Sequence, residues 1–173
     1  MRPVLIVPGY GNSGPGHWQS LLEASLSAKR AEMPNWSFPR KVLWVDALDE
    51  ALGKFNEAPI LVAHSLGCIT VAHWARTASR EVAGALLVAP TDVERTDLAE
   101  VMKGFAPIPK SRLPFPSIVV ASDDDPFMPE PRARDLARWW GSRFHLLHGA
   151  GQINLESGFG PWAAGEALLQ ELR

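Results

Sequence analysis

Ser65 is the residue whose surroundings point to chemistry. It centres Ala63-His64-Ser65-Leu66-Gly67, after the apolar, partly β-branched run Ile60 to Ala63 and before Ile69, Val71, Ala72 and Ala75, which have the composition of a buried helix. A strand that runs straight into a helix must turn within about two residues, which pushes the side chain at the apex out of the sheet. Close packing of strand on helix then needs small residues two positions to either side, and Ala63 and Gly67 supply them, with Ala63 where Gly is usual. Leu66 offers an unpaired backbone N–H at a helix N-terminus, where free donors and the helix dipole stabilise a developing oxyanion. Serine is also a preferred N-cap, but the strand before it and the helix after it favour a nucleophile elbow.

A second donor belongs in the loop Pro8-Gly9-Tyr10-Gly11-Asn12-Ser13-Gly14-Pro15-Gly16, which follows the apolar run Val4 to Val7. Gly9 and Gly11 let the backbone approach a substrate closely, and the Tyr10 N–H is the expected partner of Leu66 in an oxyanion hole. Nucleotide binding fits poorly. The loop lacks the Gly-Lys-Ser/Thr ending of a phosphate-binding loop, and Asp46 lies too far along to close the Gly9, Gly11, Gly14 spacing. His64, next to the apex, is placed on the substrate side of the site, with its ring expected to pack away from Ser65.

Further along, the apolar run Ser117 to Ala121 leads into Ser122-Asp123-Asp124-Asp125-Pro126, and Arg143 to Leu147 leads into His148-Gly149-Ala150-Gly151-Gln152-Ile153-Asn154. The acidic cluster is a turn on composition alone. A metal site is not expected, because His64 and His73 are nine apart and the aspartates are too local to enclose an ion; no cofactor is expected either.

The elements that must position these residues alternate. Strands are expected at Val4 to Val7, Val42 to Val45 with Asp46 at its carboxyl end, Ile60 to Ala63, Ala83 to Ala89, Ser117 to Ala121 and Arg143 to Leu147. Helices are expected at His17 to Leu26, around Leu48 to Phe55, after Ser65, near Leu98 to Met102, at Glu130 to Trp140 and around Trp162 to Leu172. This pattern predicts an α/β fold, a three-layer αβα sandwich with about six parallel strands. Its site lies at the carboxyl ends of the strands, where Ser65, Asp125 and Gln152 all fall. The proline-rich stretch Thr91 to Pro116 is the one candidate lid. A chain of 173 residues is expected to form a single domain, 1–173, with no room for a cap domain. The net charge of −2, with both signs interspersed, leaves no footprint for nucleic acid or an anionic membrane. The apolar N-terminal run is too short for a signal segment, and the lone Cys68 forms no internal disulfide, so a cytoplasmic protein is expected.

PGYGNSGPGHWQ, AHSLG, ASDDDPF and GAGQINLESGFGPW together resemble the α/β-hydrolase superfamily. Within it they are similar to the small serine hydrolases that include retinoblastoma-binding protein 9 and the YdeN proteins. The resemblance implies Ser65 as nucleophile, Asp125 as the triad acid, Tyr10 and Leu66 as backbone donors, and a histidine at the position of Gln152. The family pattern there is Gly-His-Ile-Asn, and this chain reads Gly151-Gln152-Ile153-Asn154. Serine needs a neighbour that takes its proton and returns it to the leaving group, and an amide does not do so near neutral pH. Gln152 is expected to imitate imidazole in shape, its NH₂ donating to Asp125 and its carbonyl accepting from Ser65. No other histidine is a convincing base: His148 reads as a solvent-facing strand end, His17 as a structural hydrogen-bonding residue, and His73 and His145 have no motif context. The expectation is a serine hydrolase of small esters, thioesters or amides with impaired turnover, the change at 152 being introduced or natural. The alternative is a binding protein that keeps a hydrolase pocket without using it.

Overall fold

The computed structural model describes residues 1–173. Six strands form one parallel sheet in the order β2-β1-β3-β4-β5-β6: β1 (Val4–Val7), β2 (Lys29–Arg30), β3 (Ile60–His64), β4 (Gly84–Val88), β5 (Ser117–Ser122) and β6 (Arg143–Leu147). The four central strands are buried on both faces, so their side chains divide between two cores by simple alternation. Leu5, Val7, Leu61, Ala63, Leu87 and Val119 face the layer of α2 (Lys41–Leu52), α3 (Leu66–Ala75) and α5 (Glu130–Trp140). Val4, Ile6, Ile60, Val62, Leu86 and Val120 face α1 (Trp18–Leu26) and α6 (Ala163–Gln170). The result is the expected αβα sandwich, with no cap domain over the sheet.

From β1 the chain moves outward to β2, then returns across β1 to continue from β3 in the opposite direction. The sheet order therefore reverses between β1 and β3, the switch point at whose carboxyl ends ligands bind in open α/β sheets. The Gly-rich loop leaves β1 at that point and Ser65 leaves β3 beside it.

Val42 to Val45, expected as a strand, lies in helix α2. Its apolar residues belong to a longer helical pattern, since Trp44, Leu48, Ala51 and Leu52 are buried on one face while Val42 and Leu43 are exposed. Asp46 is accordingly an exposed helical residue and ends no strand. The actual β2 is two residues at the sheet edge, with no apolar run to announce it. The candidate lid is fastened down. Val93, Leu98, Met102, Phe105, Ile108, Leu113 and Phe115 are buried in the larger core, His73 Nε2–H donates to the Phe105 carbonyl at 2.6 Å, and Trp140 Nε1–H donates to the Pro109 carbonyl at 2.8 Å. Between β4 and β5 it contains one short helix, α4 (Glu100–Lys103).

Candidate active site

Ser65 occupies the one residue between β3 and α3, with φ 55° and ψ −122°. This conformation costs a non-glycine residue on the order of 1–3 kcal/mol and persists only where the surroundings impose it. They do so from both sides. The Ser65 N–H donates to the Val88 carbonyl at 3.0 Å, and the Ser65 carbonyl accepts from Cys68 N–H at 3.0 Å. A Cβ on Gly67 would lie 2.4 Å from the Val7 carbonyl oxygen, and one on Gly9 would lie 2.9 Å from Ser65 Cβ. Both glycines are thus required where the end of β1 crosses the turn.

Ser65 Oγ has two side-chain partners. Gln152 Nε2–H donates to it at 2.9 Å, and Thr91 Oγ1 lies 2.7 Å away. The amide of Gln152 is thus turned opposite to the expectation: the NH₂ meets Ser65, and Asp125 is not its partner. With an N–H donated into Ser65 Oγ, the serine's own proton is free to go to Thr91 Oγ1. Thr91 is completely buried just beyond β4, and nothing in the sequence marked it. Its only signal was its place in the Val88-Ala89-Pro90-Thr91 stretch at the carboxyl end of a central strand.

Asp125 lies in the turn after β5 and is 9% exposed. Its Oδ1 accepts from Phe127 N–H at 2.8 Å, while its buried Oδ2 has no partner. Burial pushes its pKa up to about 7, with the Phe127 N–H opposing and neighbouring Asp124 adding to the rise. Thr91 and Asp125 sit on segments stitched together, since Asp92 N–H donates to the Phe127 carbonyl at 2.9 Å and Arg132 bridges Asp92 and Glu94.

His64 does not line a substrate surface. Its ring is buried against His17 and Trp18, and its Nε2–H donates to the Gln152 carbonyl at 2.9 Å, a bond that only the donor form of the nitrogen can make. Burial lowers its pKa to about 4 against the pull of that bond. His17 caps α1, with Nδ1 accepting from Gln19 N–H at 3.1 Å. Its pKa is held at about 3, chiefly by burial, then by His64 and Arg30. Both rings are therefore neutral near pH 7. His148 is four-fifths exposed and pairs with Asp123 at 2.6 Å, so it stands outside the Ser65 cluster. Gln19, also unmarked in the sequence, is fully buried. It donates to the Val62 carbonyl at 3.0 Å and accepts from Ser13 Oγ at 2.6 Å, tying the Gly-rich loop to the strand ends.

The Tyr10 N–H makes no hydrogen bond within the protein, and Leu66, as the first residue of α3, has no intrahelical acceptor for its own. A Cβ on Gly9 would be 3.1 Å from Leu66 N, so the two segments that carry these donors are in contact. The Gly11 N–H is committed elsewhere, to the Trp36 carbonyl at 3.0 Å. A surface hollow of about 710 Å³ lies at the opposite end of the sheet among Arg112, Phe115, Arg143 and Glu171. That open, charged groove contains none of these groups. No helix is long and apolar enough to cross a membrane.

The same arrangement of sequence and fold is found in known proteins. The family described as Serine hydrolase matches residues 4–171. The YdeN protein of Bacillus subtilis (strain 168) is 27% identical over 171 residues, 91% of this chain and 89% of that protein. A crystal structure of a YdeN-like protein from Pectobacterium atrosepticum superposes with a TM-score of 0.89 at 32% identity, covering 99% of this chain and 90% of the other. The monoacylglycerol lipase of Paleococcus ferrophilus shares the fold, with a TM-score of 0.70 at 14% identity, covering 99% of this chain and 95% of that one. The likeness to retinoblastoma-binding protein 9 rests on the sequence motifs alone. The chain belongs to the serine hydrolase family, on the α/β-hydrolase fold and in the company of the YdeN proteins.

Proposed function

We propose that this chain is built to hydrolyse small esters, thioesters or amides through an acyl-enzyme at Ser65, and that Gln152 holds its turnover far below what the scaffold supports. In that reaction Ser65 Oγ bonds to the substrate carbonyl carbon, the oxyanion is held by the Tyr10 and Leu66 N–H groups, and the bond to the leaving group breaks as that group gains a proton. Water then cleaves the acyl-enzyme and restores the serine. Imidazole at position 152 would carry the proton in both halves. The glutamine amide already donates to Ser65 and has no free pair of suitable basicity, so the proton has no carrier.

The contact between Gln152 Nε2 and Ser65 Oγ at 2.9 Å carries this reading, because a side chain within hydrogen-bond reach of the serine is what a general base requires. The unpartnered Asp125 Oδ2 supports it: a buried carboxylate oxygen without a donor is what loss of an imidazole N–H leaves behind. Ser65 is 8% exposed, which supports a small acyl group over a bulky one. The free, buried thiol of Cys68 suits the reducing cytoplasm. The unengaged Tyr10 and Leu66 N–H groups also support a second reading, a protein that binds an ester or its acid through a carbonyl oxygen without turning it over. Comparing ester hydrolysis by the present chain and by its Gln152→His variant tests the proposal: a large gain supports the hydrolase, and no gain across acyl lengths in a folded variant supports the binder.

A further inference from the structure

Residues 149–153 form neither helix nor strand. Apart from the bond from the Ile153 N–H to the Ala150 carbonyl at 2.9 Å, the hydrogen-bonded backbone groups of this segment are held by side chains. The Gly149 N–H donates to Asp123 Oδ1 at 2.8 Å, the Ala150 N–H to Ser122 Oγ at 3.1 Å, and the Gly151 N–H to Asp124 Oδ1 at 2.8 Å. The Gln152 carbonyl accepts from His64 Nε2–H at 2.9 Å, and the Ile153 carbonyl from Trp18 Nε1–H at 2.8 Å. Ser122 Oγ–H in turn donates to Asp124 Oδ1 at 2.6 Å, so the acceptors on the β5 side are coupled to each other. Three residues of this segment, Gly149, Gly151 and Ile153, have positive φ values of 62°, 53° and 52°. Glycine adopts such values freely, but β-branched Ile153 does not, so its conformation is imposed by its surroundings.

We propose that the acidic turn Ser122-Asp123-Asp124 is a positioning device for residue 152, clamping the three N–H groups ahead of it while His64 fixes its carbonyl. The assignment rests on Ser65 and position 152 being the reacting pair. Asp124 is the central member, because its Oδ1 receives both the Gly151 N–H and the Ser122 hydroxyl. The hydrogen bonds also account for the low pKa values of the two aspartates: Gly149 N–H and then His148 act on Asp123, and Ser122 and then Gly151 N–H act on Asp124. Asp125, the third acid of the run, takes no part in the clamp and faces a different partner, Phe127 N–H.

The test has two arms. In the present chain, the side-chain NH₂ resonances of Gln152 are followed by NMR in Asp124→Ala and Asp124→Asn. Alanine should shift and broaden them, and speed amide exchange at Gly149, Ala150 and Gly151 by about 100-fold, with β3 amides unchanged. Asparagine, whose carbonyl still accepts both bonds, should restore most of the original spectrum. In the Gln152→His background, Asp124→Ala should lower kcat by about 10- to 100-fold with KM nearly constant, and Asp124→Asn should recover it. Asp123→Ala, which removes from the clamp only the more distant Gly149 N–H bond, gives a smaller shift of the same signals and serves if Asp124→Ala does not fold. Unmoved Gln152 resonances in a folded Asp124→Ala or Asp123→Ala chain would overturn the clamp. Inactivity of Gln152→His alone would instead count against the hydrolase reading and leave the first arm decisive.

Discussion

Gln152 Nε2 donates a hydrogen bond to Ser65 Oγ at 2.9 Å, so the group facing the serine presents a proton where turnover requires an acceptor. The pair proposed to react is thus in contact, with the polarity of that contact reversed. With one lone pair of Ser65 Oγ occupied by the amide, the serine proton is free to turn to Thr91 Oγ1, 2.7 Å away.

Thr91 should matter once a base is restored. When imidazole holds the serine proton, the Thr91 hydroxyl becomes a donor to Ser65 Oγ. Thr91→Val keeps the shape and removes that donor. In the Gln152→His background it should lower kcat by about 10-fold, the worth of one hydrogen bond to a charged group, while Thr91→Ser should stay within about 2-fold. Steady-state kinetics on a short p-nitrophenyl ester decide it, and equal rates for the valine and serine variants would remove Thr91 from the reaction.

Asp125 should make the present chain less stable as pH rises. Its pKa is about 7 in the folded state against an ordinary 3.8, so between those values the folded chain holds a proton that the unfolded chain has released. Stability contributed by the protonated form is complete below about pH 4 and is lost as pH climbs to about 7, by at most about 4 kcal/mol. Asp125→Asn should therefore raise the urea midpoint at pH 8 and leave it nearly unchanged at pH 4. His17 and His64, neutral in the fold with pKa values of about 3 and 4, act in the opposite sense below pH 6.5. They do so in both chains, so the difference between the chains isolates Asp125. A variant destabilised equally at both pH values would contradict the assignment.

Gly67→Ala should be severe, because its Cβ would meet the Val7 and Pro8 carbonyl oxygens at 2.4 and 2.7 Å, both backbone atoms. A loss of about 3 kcal/mol or failure to fold is expected. Gly14→Ala, in the Gly-rich loop after β1 and with nothing within 4 Å, should be tolerated. Urea denaturation of the two variants side by side checks the contrast.

Much of this was legible in the sequence, for identifiable reasons. The central strands are continuous apolar runs, and the elbow announces itself because a strand, a small residue, a serine and a glycine must coincide there. The edges were harder. Lys29–Arg30 is a strand by pairing alone, while Val42 to Val45 looks like one until Trp44, Leu48 and Leu52 are read together. In the site, Ser65, Asp125 and Gln152 were marked by motif, but the orientation of the Gln152 amide depends on which neighbours have spare acceptors, and that is a three-dimensional fact. Thr91 and Gln19 carry no motif at all. The acidic turn was read as a turn; that it holds the backbone of 149–151 follows only from β5 and β6 being neighbours.

Hydrolysis of a short p-nitrophenyl ester by the present chain and by Gln152→His decides whether position 152 alone limits turnover. With Ser65, Asp125 and the Tyr10 and Leu66 amides in the roles proposed for them, the variant should be faster by about 10³ or more. Adding Ser65→Ala should abolish the gain, and the same change in the present chain should do little. A present chain that already hydrolyses the ester well, and loses that activity on His148→Ala, would contradict the account.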